Sequence, residues 1–240
     1  MSLDDRIRDA SDRLIEAVGA HPRAAFSSSF GAEDMVVLDL ISGLGLEVDV
    51  FTLDTGRLHG ETLELIDRAR DRYAIPVRIL FPQADAVETF TTRHGVNAFY
   101  QSVELRKQCC EIRKLEPLRR ALAGKALWIT GLRREQSVTR SDVPFLQEDP
   151  TYGLVKANPL ADWTSVDVNA YIQRHDVPVN ALHARGFPSI GCAPCTRAIQ
   201  PGEDERAGRW WWEQPESREC GLHVGPDGRL VRAKAATGTA

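Results

Sequence analysis

The chain has 240 residues, with 34 acidic and 30 basic side chains and a formal net charge of −4. This length can bury the hydrophobic core of one domain without disulfides, and the mild acidity argues against a broad surface for nucleic acid. No run reaches the roughly 18 apolar residues of a spanning helix, and the acidic start, with Asp4 and Asp5, lacks the basic and apolar regions of a secretory signal. We therefore expect a cytoplasmic protein with no membrane partner and no stable nucleic-acid partner.

The first part of the chain alternates between helical and strand patterns. Residues 3–18 carry apolar side chains at helical spacing, and Gly19 and Pro22 end that helix. Apolar strands are predicted at 23–27, 48–53, 77–81 and 126–130, and helices at 35–41, 63–69 and 104–122. Strands that alternate with helices predict an α/β fold, with a parallel central sheet and helices on both faces.

The second part of the chain is less regular. Residues 133–149 are polar and lack periodicity, which predicts a functional loop or a partly ordered segment. A short strand is predicted at 152–156, and a helix at 163–174 with Asp162 as its N-cap. We predict one α/β domain over residues 1–215 and a mobile C-terminal tail over residues 216–240.

Three polar loops follow predicted strands, at 27–34, 53–57 and 131–137. Ligands of parallel α/β sheets bind beyond the carboxyl ends of the strands. The serines of the first loop precede a helix, where hydroxyl and backbone N–H groups suit an anion or a polar nucleotide edge. Taken singly, such serines are more often helix caps, and Asp54 is more often a turn residue. Three such loops at one edge of a sheet predict a ligand crevice.

Four of the five cysteines form two close pairs, Cys109 with Cys110 and Cys192 with Cys195. A disulfide between adjacent cysteines is strained, and a disulfide framework fits poorly with a chain that shows no sign of export. Four thiolates therefore predict a metal or iron–sulfur centre. The spacing alone does not separate tetrahedral zinc from an iron–sulfur cluster.

The fifth cysteine, Cys220, stands alone in a polar segment with Arg218 and His223 close by. Cationic neighbours favour the reactive thiolate, so we predict a reactive thiol rather than a passive residue. Basic residues also lie close to the cysteine pairs, with Lys114 after the first pair and Arg206 and Arg209 after the second. They predict a phosphate or sulfate site, with a solvated charged face as the alternative. The triple tryptophan 210–212 is interpreted as packing.

Together these motifs resemble the assimilatory adenylyl-sulfate reductases that carry a [4Fe-4S] cluster, within the phosphoadenylyl-sulfate reductase family. The resemblance extends from Ser27 through His223 and includes the cysteine pairs and the segments 53–59, 131–137, 158–160, 208–212 and 219–223. Relatives that act on the 3′-phosphorylated substrate mostly lack the four paired cysteines. Their presence here favours adenosine 5′-phosphosulfate as the substrate.

The resemblance implies an adenine-nucleotide α-hydrolase-like fold and reduction of adenosine 5′-phosphosulfate to sulfite and AMP, in sulfate assimilation and cysteine biosynthesis. It implies that Cys220 is the nucleophile, that an S-sulfocysteine forms, and that thioredoxin or a similar dithiol releases sulfite. A homo-oligomer is compatible with this assignment. The implied charged residues around the phosphosulfate are Lys114, Arg206, Arg209 and His223. The implied contacts of adenine and ribose are Ser28, Ser29, Leu53 and Gly131. The implied ligands of a structural and electrostatic [4Fe-4S] cluster are Cys109, Cys110, Cys192 and Cys195.

Three alternatives remain from the sequence. The first is a reductase of 3′-phosphoadenylyl sulfate. The second is a nucleotide-activating enzyme that transfers sulfur to a tRNA base, although the 27–34 loop lacks the twin glycines of ATP pyrophosphatases and the chain lacks a basic excess. The third is a sensor that binds zinc and a nucleotide without catalysis.

Overall fold

The computed structural model describes residues 1–136 and 140–214. Within these residues the helices are α1 (Leu3–Ala20), α2 (Ala32–Gly43), α3 (Gly60–Tyr73), α4 (Ala84–His94), α5 (Val103–Cys110), α6 (Glu116–Leu122) and α7 (Ser165–His175). The strands are β1 (Ala24–Ser27), β2 (Asp49–Leu53), β3 (Val77–Leu80), β4 (Leu127–Ile129), β5 (Leu146–Asp149) and β6 (Leu154–Ala157). The predicted order of strands and helices is thereby confirmed in the first part of the chain, where α4 is an addition.

The strands form one sheet in the order β3-β2-β1-β4-β6-β5. All neighbouring pairs are parallel except β5 with β6, which are antiparallel. The parallel central sheet is therefore confirmed. The interpretation of residues 133–149 as a loop is wrong at its end, because β5 pairs with β6 from Leu146 opposite Ala157 to Asp149 opposite Leu154.

Successive side chains of a strand point to opposite faces of the sheet, so the hydrophobic core has a part on each face. In β1, Phe26 packs in a large cluster with α1, α2, α3 and α7, whereas Ala25 packs with α6 on the other face. Lys156 of β6 lies on the α6 side, 1% exposed, with its ammonium 4.5 Å from the ring centroid of Trp128. Burial lowers the pKa of Lys156 to about 7. Both faces are covered, as the sequence predicted.

Three helices, α1, α5 and α7, begin at a side-chain N-cap, and the cap of α7 corrects the sequence prediction. The N-cap of α7 is Thr164, whose hydroxyl accepts from the N–H of Asp167, while the Asp167 carboxylate accepts from the N–H of Thr164. Asp162 is not the cap. Its carboxylate instead pairs with Arg13 and Arg134, so it ties α1 to the loop after β4.

One long helical run carries the first cysteine pair. The predicted helix at 104–122 is confirmed as α5, a π-helical turn over Glu111–Leu115 and then α6. Such π turns occur mostly as single turns inside α-helices, often at functional sites. Across the described ranges, none of the helices is both long and apolar enough to cross a membrane.

Candidate active site

The main cavity lies at the carboxyl ends of β1, β2 and β4 and has a volume of about 220 Å³. Each of these strands runs into a loop that lines it. Ser28 and Ser29 follow β1, Leu53 ends β2, and Gly131 lies just beyond β4. The structure therefore brings together all four residues predicted to contact adenine and ribose. Their contact with a nucleotide stays a prediction.

Asp34 holds two of these loops together. Its carboxylate accepts from the N–H of Ser29 at 2.5 Å and from the Ser29 hydroxyl at 2.7 Å, and it also accepts from the N–H of Gly131. Burial raises the pKa of Asp34 to about 6, although the Ser29 hydrogen bonds act in the opposite direction. Gly131 is needed here because a Cβ at this position would overlap the Asp34 carboxylate. The sequence analysis did not single out Asp34.

The three described basic residues of the predicted phosphosulfate site, Lys114, Arg206 and Arg209, also line this cavity. Arg209 is buried, and its Nη1 donates to the hydroxyl of Ser189 and to the carbonyl of Ile190, both at 3.2 Å. Lys114 lies in the π-helical turn just before α6. Arg206 and Arg209 lie far from it in the sequence. The structure thus gathers the predicted charges next to the predicted nucleoside contacts.

Acidic side chains line the cavity as well, namely Glu33, Asp34 and Glu205. Arg133, which is 2% exposed at its side chain, compensates two of them, with 2.7 Å to Glu33 and 3.7 Å to Glu205. Burial raises the pKa of Glu205, and the charge of Arg133 opposes that rise. No local sequence pattern marks this network, because Arg133 and Glu33 are 100 residues apart in the chain. Arg140 is another lining residue that the sequence analysis missed.

A second, small cavity of about 20 Å³ is lined by all four paired cysteines. Five of its lining residues lie along one helical run at spacings of three or four, which is the spacing of a single helix face: Arg106, Cys109, Cys110, Arg113 and Lys114. Adjacent cysteines can therefore both reach the cavity. Cys192 and Cys195 flank a short 3₁₀ turn, in which the N–H of Cys195 donates to the carbonyl of Cys192 at 2.9 Å.

The surroundings of this cavity suit a cluster of thiolates. The four cysteines are thiols rather than disulfides, and burial raises the pKa of Cys195 to about 12 and also raises that of Cys109. Buried thiols of this kind give up their protons when a metal binds. The indole Nε1 of Trp210 is buried at the cavity and has no acceptor among the described residues, a position that a sulfur acceptor would complete.

All four paired cysteines line the same small cavity. Across the described ranges, no group of three or more histidine, cysteine, aspartate or glutamate side chains is arranged to hold a metal ion. The four cysteines and their cationic surroundings, Arg57, Arg106, Arg113 and Lys114, fit an anionic metal–thiolate centre such as an iron–sulfur cluster.

The two cavities share a wall. Lys114 and Cys192 line both of them, and the sulfur of Cys192 lies 3.2 Å from the hydroxyl of Thr55, another lining residue of the main cavity. Arg113 donates to the carbonyl of Thr55 at 2.6 Å, which ties the cysteine-bearing helix to the loop after β2. Charge in the cysteine cavity therefore acts at short range on the main cavity.

Two predicted catalytic residues, Cys220 and His223, lie outside the described residues, as do the proposed tail 216–240 and Ser137. Their roles and the boundary at residue 215 stay predictions.

The mostly parallel sheet, with a cavity at the carboxyl ends of its strands and an adjoining cysteine site, is an α/β fold of the adenine-nucleotide α-hydrolase-like type. The family model described as the phosphoadenosine phosphosulfate reductase domain matches residues 23–198, and the chain belongs to this family. Two relatives are 56% identical to the chain, and each is named adenosine 5′-phosphosulfate reductase. The one from Burkholderia cepacia aligns over 89% of this chain and 86% of its own length. The one from Allochromatium vinosum aligns over 82% and 77%.

Solved structures agree with this assignment. A phosphoadenylyl-sulfate reductase from Candida auris, in a phosphate complex, superposes with a TM-score of 0.68 at 27% identity, over 82% of this chain and 96% of that one. A Candida glabrata FMN adenylyltransferase superposes with a TM-score of 0.57 at 16% identity, over 90% of this chain and 75% of that one. The second likeness concerns the fold alone.

Proposed function

We propose that the protein reduces adenosine 5′-phosphosulfate to sulfite and AMP. The observation that carries the proposal is the main cavity, in which Lys114, Arg206 and Arg209 lie beside the loops of Ser28, Ser29 and Gly131. Such a cavity suits a nucleoside with an anionic group. The names of relatives at 56% identity support adenosine 5′-phosphosulfate as that ligand.

In the proposed reaction, the thiolate of Cys220 attacks the sulfur of the phosphosulfate. A sulfur–sulfur bond forms, the sulfur–oxygen bond to AMP breaks, and AMP leaves with that electron pair. One thiol of thioredoxin or a similar dithiol then attacks Sγ of Cys220. Sulfite departs with the electron pair of the sulfur–sulfur bond, and the second thiol closes a disulfide in the reductant, which returns Cys220. The dithiol is oxidised and the sulfonate sulfur is reduced.

The described residues support the first step through charge. Negative charge grows on the phosphate oxygen as AMP leaves, and fixed cations at that oxygen lower the barrier. Lys114, Arg206 and Arg209 are the residues proposed for this task, with His223 as a fourth. The adenosine end is held by the loops that Asp34 ties together.

The proposed cofactor is a [4Fe-4S] cluster held by Cys109, Cys110, Cys192 and Cys195. When bound, it supplies fixed charge and rigidity beside the phosphate site, and Lys114 and Cys192 lie in the shared wall. The proposed compartment is the cytoplasm, where cysteine side chains stay reduced and can serve as cluster ligands.

Reduction of the 3′-phosphorylated nucleotide is the second candidate, because the family model and the Candida auris neighbour are named for it. The four paired cysteines, which relatives acting on the 3′-phosphorylated substrate mostly lack, and the names of the relatives at 56% identity favour the nucleotide without that phosphate. The test is sulfite release by the enzyme with thioredoxin and each nucleotide in turn. We expect a clear preference in kcat/KM for adenosine 5′-phosphosulfate. Equal values would refute the substrate assignment, and no sulfite from either nucleotide would refute the reductase.

A further inference from the structure

The indole of Trp210 contacts two guanidinium groups, which belong to residues that line different cavities. The guanidinium carbons of Arg106 and Arg209 each lie 4.8 Å from the centroid of the Trp210 ring. Arg106 lines the cysteine cavity, and Arg209 lines the main cavity. Arg106 is not among the residues lining the main cavity, so its effect on a nucleotide there is indirect, and the Trp210 ring that it shares with Arg209 provides a route.

Arg106 is held rigidly. It is 1% exposed and makes a bidentate pair with Glu213, with 2.9 Å from Nε to Oε1 and 2.7 Å from Nη2 to Oε2. Two parallel charge-assisted bonds fix the plane of a guanidinium as well as its position. Arg106 lies in α5, one turn before Cys109 and Cys110, so this fixed guanidinium belongs to the helix that carries the first cysteine pair.

Trp210 is held by its backbone. Its N–H donates to the carbonyl of Cys195 at 3.1 Å, and its φ of 43° is in the left-handed region, which a bulky residue adopts only where its surroundings impose it. The ring is 1% exposed. It therefore has little freedom to move without a change at Arg106 or Arg209.

We propose that Arg106 is a positioning residue for the nucleotide site, acting through the Trp210 ring to hold the guanidinium of Arg209 toward the phosphate. The proposal rests on the proposed function only in taking Arg209 as a phosphate contact. It connects the cysteine-bearing helix to the main cavity by a route separate from Lys114. Loss of Arg106 lets the indole and then Arg209 shift, so that binding of a phosphate group weakens while binding of the nucleoside does not.

The test compares AMP with adenosine as ligands of the purified holoenzyme, with dissociation constants from calorimetry. Arg209→Gln should weaken AMP binding about tenfold or more, as expected for loss of a charge-assisted contact, and should change adenosine binding less than about twofold. Arg106→Gln should show the same selective loss. In the Arg106→Gln, Arg209→Gln double variant the loss should not exceed that of Arg209→Gln alone, because both changes act on one contact.

Arg72→Gln is the matched control, since Arg72 lies over the Tyr73 ring at 5.7 Å and is absent from the lining of the main cavity. It should leave both dissociation constants unchanged. Since removal of one partner of a buried pair can unfold a protein, Trp210→Leu provides a second route and should also weaken AMP selectively.

Equal losses for AMP and adenosine in Arg106→Gln, additive losses in the double variant, or unchanged AMP binding in a folded Trp210→Leu would each overturn the positioning role. Unchanged AMP binding in Arg209→Gln would overturn both the phosphate role of Arg209 and the inference. Selective loss in Arg209→Gln without loss in Arg106→Gln would overturn the inference alone.

Discussion

Gly191 leaves the space in which the Arg209 guanidinium lies, and we predict that Gly191→Ala displaces that group. A Cβ at residue 191 would overlap the guanidinium, with Cζ of Arg209 only 2.6 Å away. The obstructing atoms are the far end of a flexible side chain, so Arg209 can move without a backbone shift. Its hydrogen bonds to Ser189 and Ile190 would be lost. The expected cost to folding is about 1–3 kcal/mol, which leaves the domain folded.

The expected cost to catalysis follows from the proposed contact between Arg209 and the phosphate. A hydrogen bond to a charged group contributes about 1.5–3 kcal/mol, so kcat/KM for adenosine 5′-phosphosulfate should fall about 10- to 150-fold. Sulfite release measures this rate, and thermal unfolding measures the stability. Gly43→Ala is the matched control, because a Cβ at Gly43 meets nothing within 4 Å, and it should retain wild-type rates. A Gly191→Ala enzyme within about twofold of wild type would refute the role of Arg209 at the phosphate.

Further expected outcomes concern the cysteines and a buried lysine. Cys110→Ser should lack the visible absorbance and the iron of the wild-type protein, and normal iron content would contradict the ligand assignment. Cys220→Ser should still bind AMP yet give no sulfonate adduct in intact-mass spectra after incubation with substrate, whereas an adduct on that variant would identify another nucleophile. The folded-state pKa of Lys156, about 7 against 10.5, means that wild-type stability rises with pH between those values. Relative to wild type, Lys156→Met should therefore lose about 1.4 kcal/mol of stability per pH unit from about pH 7 to 10, and a stability difference that does not change with pH would refute the shift.

The sheet could be predicted from the sequence because buried parallel strands are continuous apolar runs bounded by turns. β5 escaped prediction because it is an antiparallel edge strand with a polar sequence, in which Gln147 and Asp149 are nevertheless buried. α4 escaped because Phe90 is its one fully buried side chain among the described residues, so it lacks an apolar stripe. Asp162 and Thr164 are both good caps, and their local chemistry does not say which one the chain uses.

The sequence likewise predicts only part of the candidate site. The serine loop, Gly131 and the cysteine pairs carry local sequence signals, and the resemblance to a reductase family identified the basic residues. The pairs Arg106–Glu213 and Arg133–Glu33 carry no such signal, since their partners are 107 and 100 residues apart. In the sequence, a buried arginine cannot be distinguished from an exposed one until its distant partner is known.

The strand order also determines when each strand can pair with its neighbours as the chain is synthesised. β1 lies in the interior of the sheet, but its second neighbour, β4, is made about 100 residues after it. At ribosomal rates of roughly 5–20 residues per second, one edge of β1 waits on the order of 5 to 20 s for its partner. An unpaired apolar edge is a template for aggregation during that interval. Cys192 and Cys195 emerge later still, so a nascent chain presents two of its four paired cysteines long before the other two, and metal delivered in that interval would meet only half of the proposed ligands.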